Sequence, residues 1–99
     1  MVTISEDTDP RQEPLARDIA RTLETHYPGH PWHVTVAHGM AVVRNYGLSH
    51  DSGFGLHIDK LGSADAVKRG AVIAGGEFLE RHNVRRGAFR IEDYPRRVR

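Results

Sequence analysis

The sequence predicts an α+β domain: a three-stranded antiparallel sheet flanked by two helices, in the order α-β-β-β-α, with an extended arm at each end. Three observations carry that expectation. The stretch from Pro31 to Leu61 reads as short strand segments in which apolar and polar residues alternate, the period of an extended chain. On either side of it, apolar residues recur at the i, i+4 spacing that places them on one stripe of a helix. The connections between the strand segments are short, which makes sequential strands antiparallel neighbours. At 99 residues the chain is expected to form one domain around one modest core. Residues 1–13 read as an acidic arm, 14–87 as the body and 88–99 as a basic tail.

Asp9-Pro10 marks a turn and Glu13-Pro14 a helix start, because proline is tolerated in the first turn, where its missing N–H has no helical partner to lose. A helix is expected from Pro14 to His26. Leu15, Ile19 and Leu23 stand four apart and are joined by Ala16 and Ala20, while Arg17, Asp18, Arg21 and Glu24 take the other face. Tyr27-Pro28-Gly29 stops it. The first strand, Trp32 to Ala37, sets Trp32, Val34 and Val36 against His33 and Thr35. His38-Gly39 then makes a two-residue type I′ turn, which needs positive φ at both centres; glycine meets that need, and His is a weaker first partner than Asn or Asp. The second strand is expected over Met40 to Tyr46, with Val42 and Val43 on opposite faces. After a loop from Gly47 to Gly53, the third is expected over Phe54 to Leu61, with Phe54, Leu56 and Ile58 on one face and His57 and Asp59 on the other.

Gly62-Ser63 ends the sheet, Ser63 serving as N-cap and Asp65 complementing the positive end of the helix dipole. The second helix is expected from Ala64 to His82, with Val67, Ala71, Ala74 and Phe78 as its inner stripe, Leu79 beside them and Asn83 closing it. Gly70, Gly75 and Gly76 lie inside it. Each costs about 1 kcal/mol relative to alanine there, so they point to close backbone approach, either to the sheet or to another subunit. Past Arg85-Arg86-Gly87 a last extended piece is expected from Ala88 to Ile91.

Hydrophobic residues make up 38% of the chain and charged residues 27%, the balance of a globular domain and not of a disordered one. With no cysteine there is no disulfide, thiolate nucleophile or Cys-type zinc site. Neither a spanning helix nor a signal peptide is expected, since no apolar run is long enough and Met1 is followed by a polar, acidic stretch. The formal net charge of +1 hides an asymmetry: residues 1–14 hold Glu6, Asp7, Asp9 and Glu13 against Arg11, a net of −3. From Arg81 onward seven arginines face Glu92 and Asp93, a net of +5. Arg85, Arg86, Arg90, Arg96, Arg97 and Arg99 are therefore the candidate partner-binding residues, for an acidic protein surface or for nucleic acid.

The chain is expected not to be an enzyme. Of its seven histidines, His26, His30 and His33 fall close together, but they straddle Pro28-Gly29 and Pro31 in a loop and lack the helical i, i+4 spacing of a metalloprotease pair, so no metal or other cofactor is expected. Ser49-His50-Asp51 cannot form a triad from adjacent positions, because consecutive side chains point apart; it reads as a loop turn. Gly53-Phe54-Gly55 lacks the strand-turn-helix setting of a nucleotide fingerprint.

The order of elements resembles that of double-stranded-RNA-binding domains, whose phosphate contacts Lys68-Arg69 would match, although Ala64, Asp65, Ala66 and Val67 stand where that family's helix begins with basic residues. A different resemblance covers more of the chain. Tyr27-Pro28-Gly29 through Trp32-His33-Val34, then Gly53-Phe54-Gly55-Leu56, then Ala74-Gly75-Gly76-Glu77-Phe78-Leu79-Glu80-Arg81 resemble, over about Tyr27 to Gly87, a family of small proteins encoded by tailed bacteriophages. That resemblance implies a virion structural or assembly protein near the capsid or portal, found in the particle and, during assembly, in host cytoplasm. It would bind capsid or portal subunits or copies of itself through its arms and sheet edge, and no membrane. It carries over no functional residues. Nucleic-acid binding through the basic tail is the alternative.

Overall fold

The computed structural model describes residues 2–47 and 53–86. Within them an α+β architecture forms, with two long helices layered on one face of a four-stranded mixed sheet. The elements are β1 (Thr3–Ile4), a 3₁₀ turn (Pro10–Gln12), α1 (Glu13–His26), β2 (Trp32–Ala37), β3 (Met40–Asn45), β4 (Gly53–His57), a single helical turn α2 (Ile58–Leu61) and α3 (Ala64–Arg86). Strand order in the sheet is β1-β2-β3-β4.

The three expected strands are present, and the β2–β3 hairpin has the expected turn: φ is 55° at His38 and 76° at Gly39, the double positive φ of type I′. Trp32 pairs with Asn45, Val34 with Val43 and Val36 with Ala41, so the apolar sides of both strands fall on one face. Phe54 and Leu56 join that face from β4, opposite Val43 and Ala41.

The N-terminal stretch corrects the expected three-stranded sheet and extended arm. Thr3 and Ile4 add a fourth strand, parallel to β2. Ser5 and Asp9 then donate their N–H groups to the Val34 and Val36 carbonyls at 2.8 and 2.9 Å, and the Thr8 hydroxyl accepts from Val36 N–H at 3.2 Å. The cause is the bonding capacity of β2, whose outer edge would otherwise leave peptide groups beside the core without partners. Asp9 caps the 3₁₀ turn by accepting from Arg11 N–H at 2.9 Å, and that bond holds its carboxyl below the usual range.

The third expected strand is shortened. Beyond His57 the chain coils into α2 instead of running extended to Leu61. Its partner β3 starts at Met40, just after the hairpin turn, so the Ile58 N–H makes the last ladder bond, to the Gly39 carbonyl at 2.9 Å. The residues that follow have no strand to pair with, and local i→i+4 bonding satisfies them instead. Gly62, at φ 89°, closes that turn in the left-handed region.

Ala16, Ile19 and Leu23 of α1 and Val67, Ala71 and Phe78 of α3 are buried against the inner sheet face, α1 lying over β2 and α3 over β4. Trp32 is the centre of this layer, fully buried, with its ring 6.0 Å from Phe78, 6.3 Å from Phe54 and 6.3 Å from Tyr27. The helix glycines have a local explanation. The Tyr27 hydroxyl donates to the Val72 carbonyl at 2.6 Å, and a Cβ on Gly76 would stand 2.8 Å from that oxygen. One on Gly75 would meet Tyr27 and Leu23 at 3.2 and 3.3 Å. At Gly75 and Gly76 the close approach is thus between α3 and the C-terminal end of α1, whereas Gly70 faces the sheet, where a Cβ would meet Leu56 of β4 at 3.5 Å. Asn83 does not close α3, which continues to Arg86. The extended piece expected at Ala88 to Ile91 lies outside the described residues.

Candidate functional site

Both long helices sit on the face of the sheet that carries Trp32, Val34, Val36, Ala41 and Val43, so alternation sends the other side chains to a face with no helix among the described residues. Register arranges that outer face in three rows: Thr3, His33, Arg44 and Gly53; Thr35, Val42 and Gly55; Ala37, Met40 and His57. Thr3 Oγ1 and His33 Nδ1 are 2.7 Å apart, and the His33 ring lies 5.4 Å from Tyr46, itself 49% exposed. Arg44 and His57 are exposed, and the outer face of β4 is flat because two of its three positions are glycine. Gly53 has to be glycine, for a Cβ there would collide with the Val43 carbonyl, and a Cβ on Gly55 would press on the Met40 methyl at 3.1 Å.

The edge beyond β4 is the second component. Among the described residues nothing pairs with it. The Ile58-to-Gly39 bond fixes the phase of the ladder: Ala41/Leu56 and Val43/Phe54 are the hydrogen-bonded pairs, and Gly53, Gly55 and His57 turn their peptide groups away from β3. A sheet edge is an expected contact surface from the sequence, and the register identifies it as that of the uncharged Gly-Phe-Gly-Leu-His strand.

The histidines considered as a cluster sit in three different settings. His26 is half-buried beside Tyr27, their centroids 6.2 Å apart. His33 is on the outer face. His30 is buried next to Trp32, and its Nδ1 accepts from Asn45 Nδ2 at 3.0 Å. That bond puts the His30 proton on Nε2, and burial lowers the pKa against the opposing pull of Glu24. Asn45 is fully buried and also accepts the Gly47 N–H at 3.0 Å, so His30 and Asn45 tie the start of β2 to the end of β3. His82, also buried, donates from Nδ1 to the Phe78 carbonyl at 3.0 Å with its ring 4.3 Å from Phe78. Among the described residues no three His, Cys, Asp or Glu side chains are grouped to hold a metal ion.

Between α1 and α3, Asp18, Arg21, Thr22, Thr25, His26 and Lys68 line an open cleft of about 220 Å³. Its cations are matched locally, Arg21 to Asp18 and Lys68 to Asp65, each at 3.5 Å. The Thr22 hydroxyl is spent on the Asp18 carbonyl at 2.7 Å. Arg85 and Arg86 fall in the last turn of α3. Arg90, Arg96, Arg97 and Arg99 lie outside the described residues, as do Ser49, His50 and Asp51. No helix among the described residues is long and apolar enough to cross a membrane.

The segments that carry the bacteriophage resemblance meet one another: Tyr27 against Gly75 and Gly76, and Trp32 against Phe54 and Phe78. Their apolar members build the core, while His33, Gly53 and Gly55 fall on the outer face. Comparison of the chain with protein-family models, curated proteins and solved structures finds no match.

Proposed function

We propose that the chain is a non-enzymatic structural or assembly protein of a bacteriophage particle, a minor component near the capsid or portal that works by binding neighbouring subunits. The observation that carries the binding role is the one-sided sheet: among the described residues, helices cover one face, while nothing covers the other face or pairs with the β4 edge. An uncovered sheet face with an unpaired edge is a surface that another chain can complete. Residues 3–12 are held against their own β2 and α1, so the surface offered to neighbours is the open face and edge together with the basic residues from Arg81 onward. The bacteriophage setting is supported by the sequence resemblance alone. Mass spectrometry of purified particles tests it: the chain is expected among the virion proteins, and its confinement to infected-cell cytoplasm would end the structural role.

A second reading is favoured by the run of α3 to Arg86, which sets Arg81, Arg85 and Arg86 on one helix end. Nucleic-acid binding there would show in a gel-shift series as affinity falling steeply with salt, as counterion release requires. Affinity that is weak at all salt concentrations would dismiss it.

A further inference from the structure

Tyr46 is the one exposed Phe, Tyr or Trp among the described residues, whereas Trp32 and Phe78 are buried and Tyr27 and Phe54 pack against the core. Its ring lies 5.4 Å from that of His33 at an interplanar angle of 37°. On the β1 side the Thr3 hydroxyl, 2.7 Å from His33 Nδ1, holds the imidazole in place. The two rings make a small platform on the outer face of the sheet. Arg44, exposed, is the cross-strand partner of His33, and beyond it Gly53 and Gly55 leave the surface flat.

Charge on this face has one sign. No position in the three outer rows is Asp or Glu, although the chain holds 13 of them, and among the described residues Arg44 is in no ion pair. Carboxylates stand at the rim instead: Glu6 and Asp7 beside β1, and Asp59 at the hairpin turn, where its oxygen would be 3.2 Å from a Cβ on Gly39. In sequence the β3–β4 loop adds Asp51, next to His50. Further cations lie towards the platform end. The α3 helix passes Leu56 at Gly70 and reaches Trp32 and Phe54 at Phe78, so its last turns, with Arg81, Arg85 and Arg86, leave the sheet at the end that holds Tyr46 and the His33–Arg44 pair.

We propose that the outer sheet face binds single-stranded nucleic acid, about two or three nucleotides of it, with a base stacked on the Tyr46–His33 platform and a phosphate on Arg44. The proposal rests on the nucleic-acid reading above and gives it a second surface, one that touches bases. An unstacked base needs a ring face to lie on, and its phosphate needs a cation that no carboxylate has already claimed. Both are present here, on a surface flat enough for the strand to pass over the glycines. Its backbone then runs off the end of the sheet towards the arginines of α3. A second copy would bring a face of the same sign against this one. A duplex would keep its bases stacked on one another and out of reach of the rings.

Fluorescence anisotropy tests this, with the full chain titrated into labelled oligothymidine, oligoadenosine and a duplex of the same length across a salt series. Both single strands are expected to bind more tightly than the duplex. Tyr46→Ala should weaken that binding about tenfold, and Tyr46→Phe, which keeps the ring, should not. Arg44→Gln should weaken it and lower the salt slope by about one. Far-UV circular dichroism should stay unchanged in each, and if Tyr46→Ala fails to fold, Arg44→Gln decides alone. Binding that survives Tyr46→Ala and Arg44→Gln but is lost when Arg81, Arg85 and Arg86 are all replaced by alanine would overturn the proposal and keep the nucleic-acid reading. No binding of any strand at low salt would end both. Equal affinity for the duplex would also overturn it. So would displacement by polyglutamate as effective as that by unlabelled oligothymidine, which would assign the face to an acidic protein surface, or self-association lost on Tyr46→Ala, which would assign it to a second copy.

Discussion

Tyr27 links three features of the chain: it follows the last residue of α1, its hydroxyl holds the Val72 carbonyl, and its ring occupies the space that side chains at Gly75 and Gly76 would need. The cost of glycine in a helix is offset here by a close helix–helix contact. Gly76→Ala should gain about 1 kcal/mol of helix propensity and lose a similar amount by displacing the hydroxyl from its acceptor. The expected result is a near-neutral change in the wild-type chain and stabilisation of about 1 kcal/mol in a Tyr27→Phe background, read by urea denaturation of the four chains of the cycle. Equal effects in both backgrounds would show that the hydroxyl is not what requires glycine.

His30 gives the molecule a pH dependence whose sign follows from its burial. Its folded pKa lies below the ordinary histidine value of 6.5, so under acid the unfolded chain binds more protons than the folded one. The contribution is fully present above 6.5 and is lost as pH falls below that value, levelling off only below the folded pKa. Denaturation midpoints should therefore decline on acidification from pH about 7 to 5, and His30→Gln should flatten that decline. An unchanged slope in the variant would assign the dependence to other groups. The His30–Asn45 contact was not legible in the sequence, because its partners stand 15 positions apart and meet only through strand register.

Among the elements, the hairpin was the most legible. Its turn residues and its alternating strands are local signals, and the residues of β2 are those expected. His38 holds φ 55°, where a β-branched residue is strained by its Cβ. His38→Val should cost about 1–2 kcal/mol, while His38→Asn should keep or slightly raise the melting temperature. Equal melting temperatures for the two variants would mean that the turn relaxes. By contrast the sequence of α2 reads as strand, because Ile58 and Asp59 continue the alternation of β4. Alternation describes which face a residue takes, and it does not say where the neighbouring strand begins. The end of α3 lies beyond the expected stop for a related reason: Asn83 is a weak stop signal, and a single weak signal does not end a helix.

For the whole molecule, the N-terminal stretch is a working part of the sheet. Thr8 is buried, and its hydroxyl serves the Val36 N–H, so Thr8→Val should leave that donor without a partner and cost about 1–3 kcal/mol. Deleting residues 1–9 should do more, exposing the edge of β2 beside the core and turning a folding chain into one that aggregates on heating. Light scattering during a thermal ramp would check this, and a clean reversible melt of the shortened chain would contradict it.

The sequence by itself determined the α+β class, α1, the hairpin and the inner stripe of α3, since each is written in contiguous residues as a period or a turn. Only the tertiary structure decided that Thr3 and Ile4 complete the sheet, that Gly75 and Gly76 make room for Tyr27, and that among the described residues nothing pairs with the outer edge of β4. These depend on which distant segment lies alongside. Two residues of strand carry no period of their own, and the bonding capacity of a neighbour 30 positions away exists only once the chain has folded around it.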